Sequence, residues 1–237
     1  MISTYPVLNI YEKSSLKSKI SSQILFGEKF KILNDKKGWL KVKTSYDKYI
    51  GFIKKRKFFK DRKITHKVSS LNANLYTKPS KYYLTKTKLP FCSTISVTDT
   101  NNNFYKFEKY WIKKKDVVPI NYKQKMFNNI KIFKNIPYKW GGKTYKGIDC
   151  SALLQLFFKF NNLYCPRDTK DQLKYFKKTK SIKKNAIIFW KGHVAICISN
   201  TNLIHAYGPK KKVVLMNIKK TIKLIEKTAK LKVIGIR

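Results

Sequence analysis

Four cysteines and three histidines are the chain's candidates for covalent and acid–base chemistry. Cys150 is the one placed for reactivity. It follows Gly141, Gly142, Gly147 and Asp149, and it precedes Ala152, Leu153, Leu154, Leu156, Phe157, Phe158 and Phe160, which recur at helical spacing. A thiol at the first turn of a mostly buried helix meets unpaired N–H groups and the positive end of the helix dipole, and both favour the thiolate. Such settings, with a nearby His, bring a cysteine from about 8.5 down to roughly 3.5–7.5. The competing reading is an inert cysteine buried at a helix start. A thiolate nucleophile needs a base near its sulfur and a third group that holds the base. His193 and His205 follow on neighbouring strands and fit these parts, His193 as general base and His205 as orienting group; His66 lies far upstream. The bland alternative is two histidines satisfied within strands. The residues offer no local ligand pair and no closed set, so neither a metal nor a cofactor is expected.

The elements that must carry these side chains follow from local signals. A helix starts at Cys150, and a turn at Pro166 with Asp168 or Thr169 as N-cap begins a short helix to about Phe176. The runs 186–190, 193–198, 203–206, 213–216 and 233–236 read as strands, with Lys191-Gly192 and Asn200-Thr201-Asn202 as turns. Residues 122–133 read as an amphipathic helix. A Cys-bearing helix packed on consecutive antiparallel strands that bear His is an α+β plan. In a simple hairpin centred near residue 200, His193 would face about residue 208. His205 would then lie roughly 10 Å away along its strand, so a bulge or a strand crossing must close the gap.

The first half reads as two small β modules. Residues 24–33, a turn at 34–38, the alternating strand 39–43 and the run 49–53 form one module; 75–80, 95–97, 99–107 and 110–112 repeat its order more weakly. Two all-β barrels are expected, at 1–60 and 61–118, before a catalytic domain at 119–237. Lys54-Lys55-Arg56-Lys57 and Lys113-Lys114-Lys115 mark module edges. Both modules could simply brace the enzyme.

The 237 residues carry 54 basic against 12 acidic side chains, a formal charge of +42. That excess suits nucleic acid, an anionic surface or an acidic substrate. It is mostly lysine spread through every segment, as a compositional bias would leave it, so nucleic-acid binding is not expected as the main role. At 43% hydrophobic and 14% aromatic the chain is core-forming. No run approaches about 18 consecutive apolar residues, so no membrane span is expected. The opening residues show no secretory signal, and the cysteines form neither a Cys-x-x-Cys pair nor a disulfide framework; a cytoplasmic setting is the expectation.

Pro137-Tyr138-Lys139-Trp140-Gly141-Gly142, Gly147-Ile148-Asp149-Cys150-Ser151, Pro166-Arg167-x-x-x-x-Gln172, Gly192-His193-Val194-Ala195-Ile196 and Ile204-His205-Ala206 resemble, in order, the motifs of the NlpC-type cell-wall cysteine peptidases. The resemblance spans about 120–237 and implies a papain-like fold; the first β module resembles a bacterial SH3-like domain, the second only in layout. It implies Cys150 as nucleophile, His193 as base and His205 as the third polar member. Tyr138 would line the oxyanion side. Asp149 and Ser151 would hold the free amine of an N-terminal L-alanine, with Glu28 and Tyr49 of the first module completing that pocket. A charge-assisted pair of this kind favours a free terminus. The subgroup with SH3-like modules cleaves the γ-D-glutamyl–diamino acid bond (diaminopimelate or lysine) of peptidoglycan stem peptides, in wall turnover or murein peptide recycling. A monomer acting on muropeptides, without nucleic-acid or membrane partners, is the resulting expectation. Ala152 stands where the family has glycine, and Lys184-Asn185-Ala186 replaces its Gly-Asp-Leu. Arg167 is expected to pin a loop in preference to binding a substrate carboxylate. The alternatives are an inactive cell-wall-binding protein, or an amidase or acyltransferase on the same fold.

Overall fold

The computed structural model describes residues 1–59 and 62–237, in two compact units, Met1–Tyr122 and Lys123–Arg237. The expected boundary between the first two modules, at 60 and 61, lies outside the described residues.

In the first unit, short runs with alternating burial form strands separated by turns. β1 (Val7–Tyr11), β2 (Ile20–Leu25), β3 (Phe30–Lys36), β4 (Trp39–Thr44) and β5 (Ile50–Lys54) pair in the order β2-β1-β5-β4-β3. Leu8, Ile10, Ile24, Phe30, Leu40, Val42 and Ile53 are its core. The second copy uses β7 (Asn72–Tyr76), β8 (Leu84–Pro90), β10 (Asp99–Asn101), β11 (Phe104–Phe107) and β12 (Tyr110–Lys113), in the order β8-β7-β12-β11-β10. That is the first sheet's order position for position. β6 (His66–Val68), β9 (Thr94–Ile95) and β13 (Val117–Pro119) add a three-stranded sheet beside it. In neither five-stranded sheet do the edge strands pair, so each is an open sheet and not a closed barrel.

The second unit is α+β. Its sheet runs β19 (Lys212–Asn217), β18 (Asn202–Tyr207), β17 (His193–Cys197), β16 (Ile187–Trp190), β20 (Gly235–Ile236), antiparallel throughout. β16 is buried at every residue, as a strand covered on both faces should be. α1 (Cys150–Phe160) lies against β17 and β18, and α2 (Thr169–Tyr175) follows. α3 (Ile218–Ala229) presses Ile218 and Ile225 onto the cluster of Ala195, Cys197 and Leu203.

Two expectations about helices change. Residues 122–133 are turns with a single 3₁₀ turn at Ile130–Phe133. Phe127 sits at φ 59°, a left-handed conformation that interrupts a helix. Conversely, α3 was not foreseen: its buried positions, Ile218, Thr221 and Ile225, are few among lysines, and Asn217 caps it through Lys220 N–H at 3.1 Å. Among the described residues no helix is long and apolar enough to cross a membrane.

What fixes the start of α1 is Asp149. The short hairpin of β14 (Lys143–Thr144) and β15 (Gly147–Ile148) delivers it; a Cβ on Gly142 would lie 2.4 Å from the Gly147 carbonyl oxygen, so the chain folds back only with glycine there. Asp149 Oδ1 then accepts from Ala152 N–H at 2.8 Å as N-cap, and Oδ2 accepts from Gly141 N–H at 2.9 Å. Arg167 forks onto both oxygens, Nη2 to Oδ2 at 2.6 Å and Nη1 to Oδ1 at 3.1 Å. Both side chains are buried, 2% and 8% exposed, where an unpaired charge is costly. Gln172 ties the loop down by donating from Nε2 to Pro166 O at 2.9 Å and Ser151 O at 3.0 Å. Arg167→Ala should lower the unfolding free energy by about 3–5 kcal/mol in denaturant titrations, because Asp149 stays buried without its counter-charge. Arg167→Lys should recover only part of it, since an ammonium cannot fork.

Candidate active site

Cys150 opens α1 and is buried. The backbone N–H groups of Val194 and Ser151 favour its anion, which sets the thiol near the start of β17. The two-residue turn Lys191-Gly192, with Gly192 at φ 74°, makes His193 the first residue of that strand, paired with Trp190.

His193 and His205 come together. Ile196 faces Ile204 and Cys197 faces Leu203, a register that, carried to the strand ends, sets Tyr207 opposite His193. His205 is then a diagonal neighbour on the same face, within reach of a ring. His193 Nε2 and His205 Nδ1 lie 2.9 Å apart. Around them Trp190 lies 5.6 Å from the His193 ring centre, and Tyr207 stacks on His205 at 4.7 Å and 9°. The pairing engages Nε2 of His193 and leaves Nδ1 as its other ring nitrogen.

Electrostatically the site differs from the expectation of a resting thiolate. Burial, then Asp149, push the Cys150 thiol up to about 12, against the opposing effect of Val194 N–H, Arg167 and Ser151 N–H. Burial pushes His193 down to about 4, and burial with His193 and Lys210 pushes His205 down to about 2. The helix start does favour the anion, but desolvation outweighs it. Cys150 therefore rests as a thiol and His193 as a neutral imidazole.

Tyr138 pairs with Ile148 in an isolated bridge, and its ring lies 3.7 Å from where a Cβ on Gly208 would be. Burial, then Cys150 and Asp149, raise its phenol above the ordinary value, so the hydroxyl keeps a proton to donate. Ser151 Oγ donates to Asp149 Oδ1 at 3.1 Å and accepts from Arg167 Nη1 at 2.7 Å. Asp149 and Ser151 are thereby committed to the helix start. Within this unit Cys150, Tyr138, Asp149 and Ser151 meet at the start of α1, and His193 and His205 lie on the two strands that α1 packs against. Glu28 and Tyr49 belong to the other unit: Glu28 is buried, with Oε2 accepting from Leu25 N–H at 2.9 Å across the Gly27 turn, and Tyr49 packs on the first β core. Among the described residues no group of three or more His, Cys, Asp or Glu could hold a metal. Sequence reasoning did not find Trp190 and Tyr207, which box the histidines; their signal was aromatics two or three residues from each His on adjoining strands.

Comparison with known proteins agrees with this geometry. Residues 135–228 match the NlpC/P60 family, and residues 10–58 match the bacterial dipeptidyl-peptidase SH3 domain. A γ-D-glutamyl-L-lysine dipeptidyl-peptidase of Bacillus subtilis (strain 168) is 25% identical over 86% of this chain and 77% of its own length. Dipeptidyl-peptidase 6 of Lysinibacillus sphaericus is 24% identical over 84% of each. The crystal structure of an NlpC/P60 family protein from Bacillus cereus ATCC 10987 superposes with a TM-score of 0.86 at 18% identity, covering 100% of this chain and 98% of that one. Residues 135–228 thus form an NlpC/P60 domain of papain-like fold, the domain of a cysteine peptidase family, and residues 10–58 a bacterial SH3-like domain.

Proposed function

We propose that this peptidase hydrolyses the γ-D-glutamyl–diamino acid bond of peptidoglycan stem peptides whose N-terminal L-alanine is free. The NlpC/P60 family is one of peptidoglycan hydrolases, and relatives aligned over most of the chain carry γ-D-glutamyl-L-lysine specificity in their names. The catalytic part is supported by the start of α1, where a buried thiol opens a helix packed on the strands that carry His193 and His205, whose rings pair at 2.9 Å.

In this reading His193 Nδ1 takes the Cys150 proton as the sulfur attacks the amide carbonyl. The tetrahedral oxyanion gains the Tyr138 hydroxyl as donor, and the protonated His193 gives its proton to the leaving amine. Water then hydrolyses the acyl-enzyme with His193 again as base. The amine preference is supported by the resemblance alone, including the parts assigned to Glu28 and Tyr49. The positive field of the chain favours acidic stem peptides at short range, being screened beyond about 8 Å at physiological salt. A cytoplasmic role in recycling released peptides belongs to the same proposal.

The reading has direct tests. Cys150→Ala should abolish release of the diamino acid from L-Ala-γ-D-Glu-diaminopimelate, and His193→Ala should lower kcat/KM by about 10²–10⁴-fold, with the far-ultraviolet dichroism of both unchanged. Mass spectrometry of the products should show cleavage of the free tripeptide and none of its N-acetyl-L-Ala form; equal cleavage would remove the amine requirement. The pH dependence has a definite sign. His193 must be neutral to act and is depressed to about 4, so the acid limb of kcat/KM should fall near pH 4 and not near the ordinary histidine value of about 6.5.

A further inference from the structure

The relay does not end at His205. His205 Nε2 lies 3.4 Å from the sulfur of Met216, on β19. Met216 faces Leu203, and Val214 faces His205, so Met216 is the diagonal neighbour of His205 on the same sheet face. His193, His205 and Met216 thus form a line of two diagonal contacts across three strands. His205 is 1% exposed, so water does not compete for its ring nitrogens. The groups around it are His193, the stacked Tyr207, Met216 and, electrostatically, Lys210.

A thioether has lone pairs but no proton to give. Facing it, Nε2 of His205 makes a hydrogen bond only if it carries the proton. Nδ1 of His205 is then a bare acceptor and takes the Nε2–H of His193. That leaves Nδ1 of His193 without a proton, which is the state a base needs. The opposite tautomer would set the Nε2 lone pair against the sulfur lone pairs and drive an N–H from His205 Nδ1 toward His193 Nε2. His193 would then hold its proton on Nδ1 and could accept none from Cys150.

We propose that Met216 is a positioning residue: as an acceptor without a proton, it fixes the tautomer of His205 and so the direction in which the histidine pair carries protons. The proposal rests on the Cys150–His193 reading above, but its first readout needs no substrate. In the full chain labelled with ¹⁵N-histidine, long-range ¹H–¹⁵N spectra at pH 7 should show His205 protonated on Nε2 and unprotonated on Nδ1. Protonation on Nδ1 in the unmutated protein would overturn the proposal, whatever the variants do. Met216→Leu keeps the size and removes the acceptor. It should give mixed His205 tautomers and a kcat lower by about 3- to 10-fold, with KM unchanged. Met216→Gln, which offers an amide oxygen, should restore the single tautomer and most of the lost kcat. A Met216→Leu protein with an unaltered tautomer would overturn the proposal, whether its kcat is unchanged or it has lost only stability. Failure of the underlying reading would show separately, as activity retained in Cys150→Ala.

Discussion

One buried carboxylate organises the catalytic unit. Asp149 caps the helix that begins at Cys150, anchors the glycine turn through Gly141 N–H and neutralises Arg167, whose loop is held in turn by Gln172. Contacts from three stretches of chain, at Gly141, at Ser151 and Ala152, and at Arg167, converge on the two oxygens of Asp149. The same carboxylate opposes the chemistry it positions, because its charge beside Cys150 disfavours the thiolate. Arg167 offsets part of that effect. Val194 N–H and Ser151 N–H act in the same direction as Arg167. Position is secured at a cost in resting nucleophilicity, which the histidine pair offsets in the function proposed above.

The pair in turn depends on the sheet. β16, β17 and β18 are buried along nearly their whole length, with α3 on one face, so the diagonal between His193 and His205 is held by a closely packed platform. Burial that keeps both imidazoles neutral also keeps the base available well below the ordinary histidine range.

The places of Cys150 and both histidines in the fold were legible because each sits beside a strong local signal: glycines before a polar cap and an apolar helix for Cys150, a Lys-Gly turn for His193, an Asn-Thr-Asn turn into an apolar run for His205. The duplicated β order was legible too, since the succession of strand, turn and aromatic strand repeats. Other features arise only in three dimensions. The sulfur's upward shift comes from burial by elements distant in sequence, which a helix-start argument omits. The contact between the histidines depends on side-chain reach across a diagonal, and counting residues along a hairpin overestimated the gap. α3 sets Ile218, Ile222 and Ile225 on one helical face among lysines, a period that reading this region for strands passed over, whereas residues 122–133 showed a periodicity that the left-handed backbone at Phe127 interrupts.

The central claim is that the sulfur of Cys150 is activated by proton transfer to His193, not by a permanently lowered thiol. Alkylation of the native protein by iodoacetamide at pH 7, with the modified cysteine located by mass spectrometry, tests it most directly. The account predicts that Cys150 is modified in the unmutated protein and that His193→Ala slows this by about 10²-fold or more. Equal rates in the two proteins would show that His193 takes no proton from the thiol and would contradict the account.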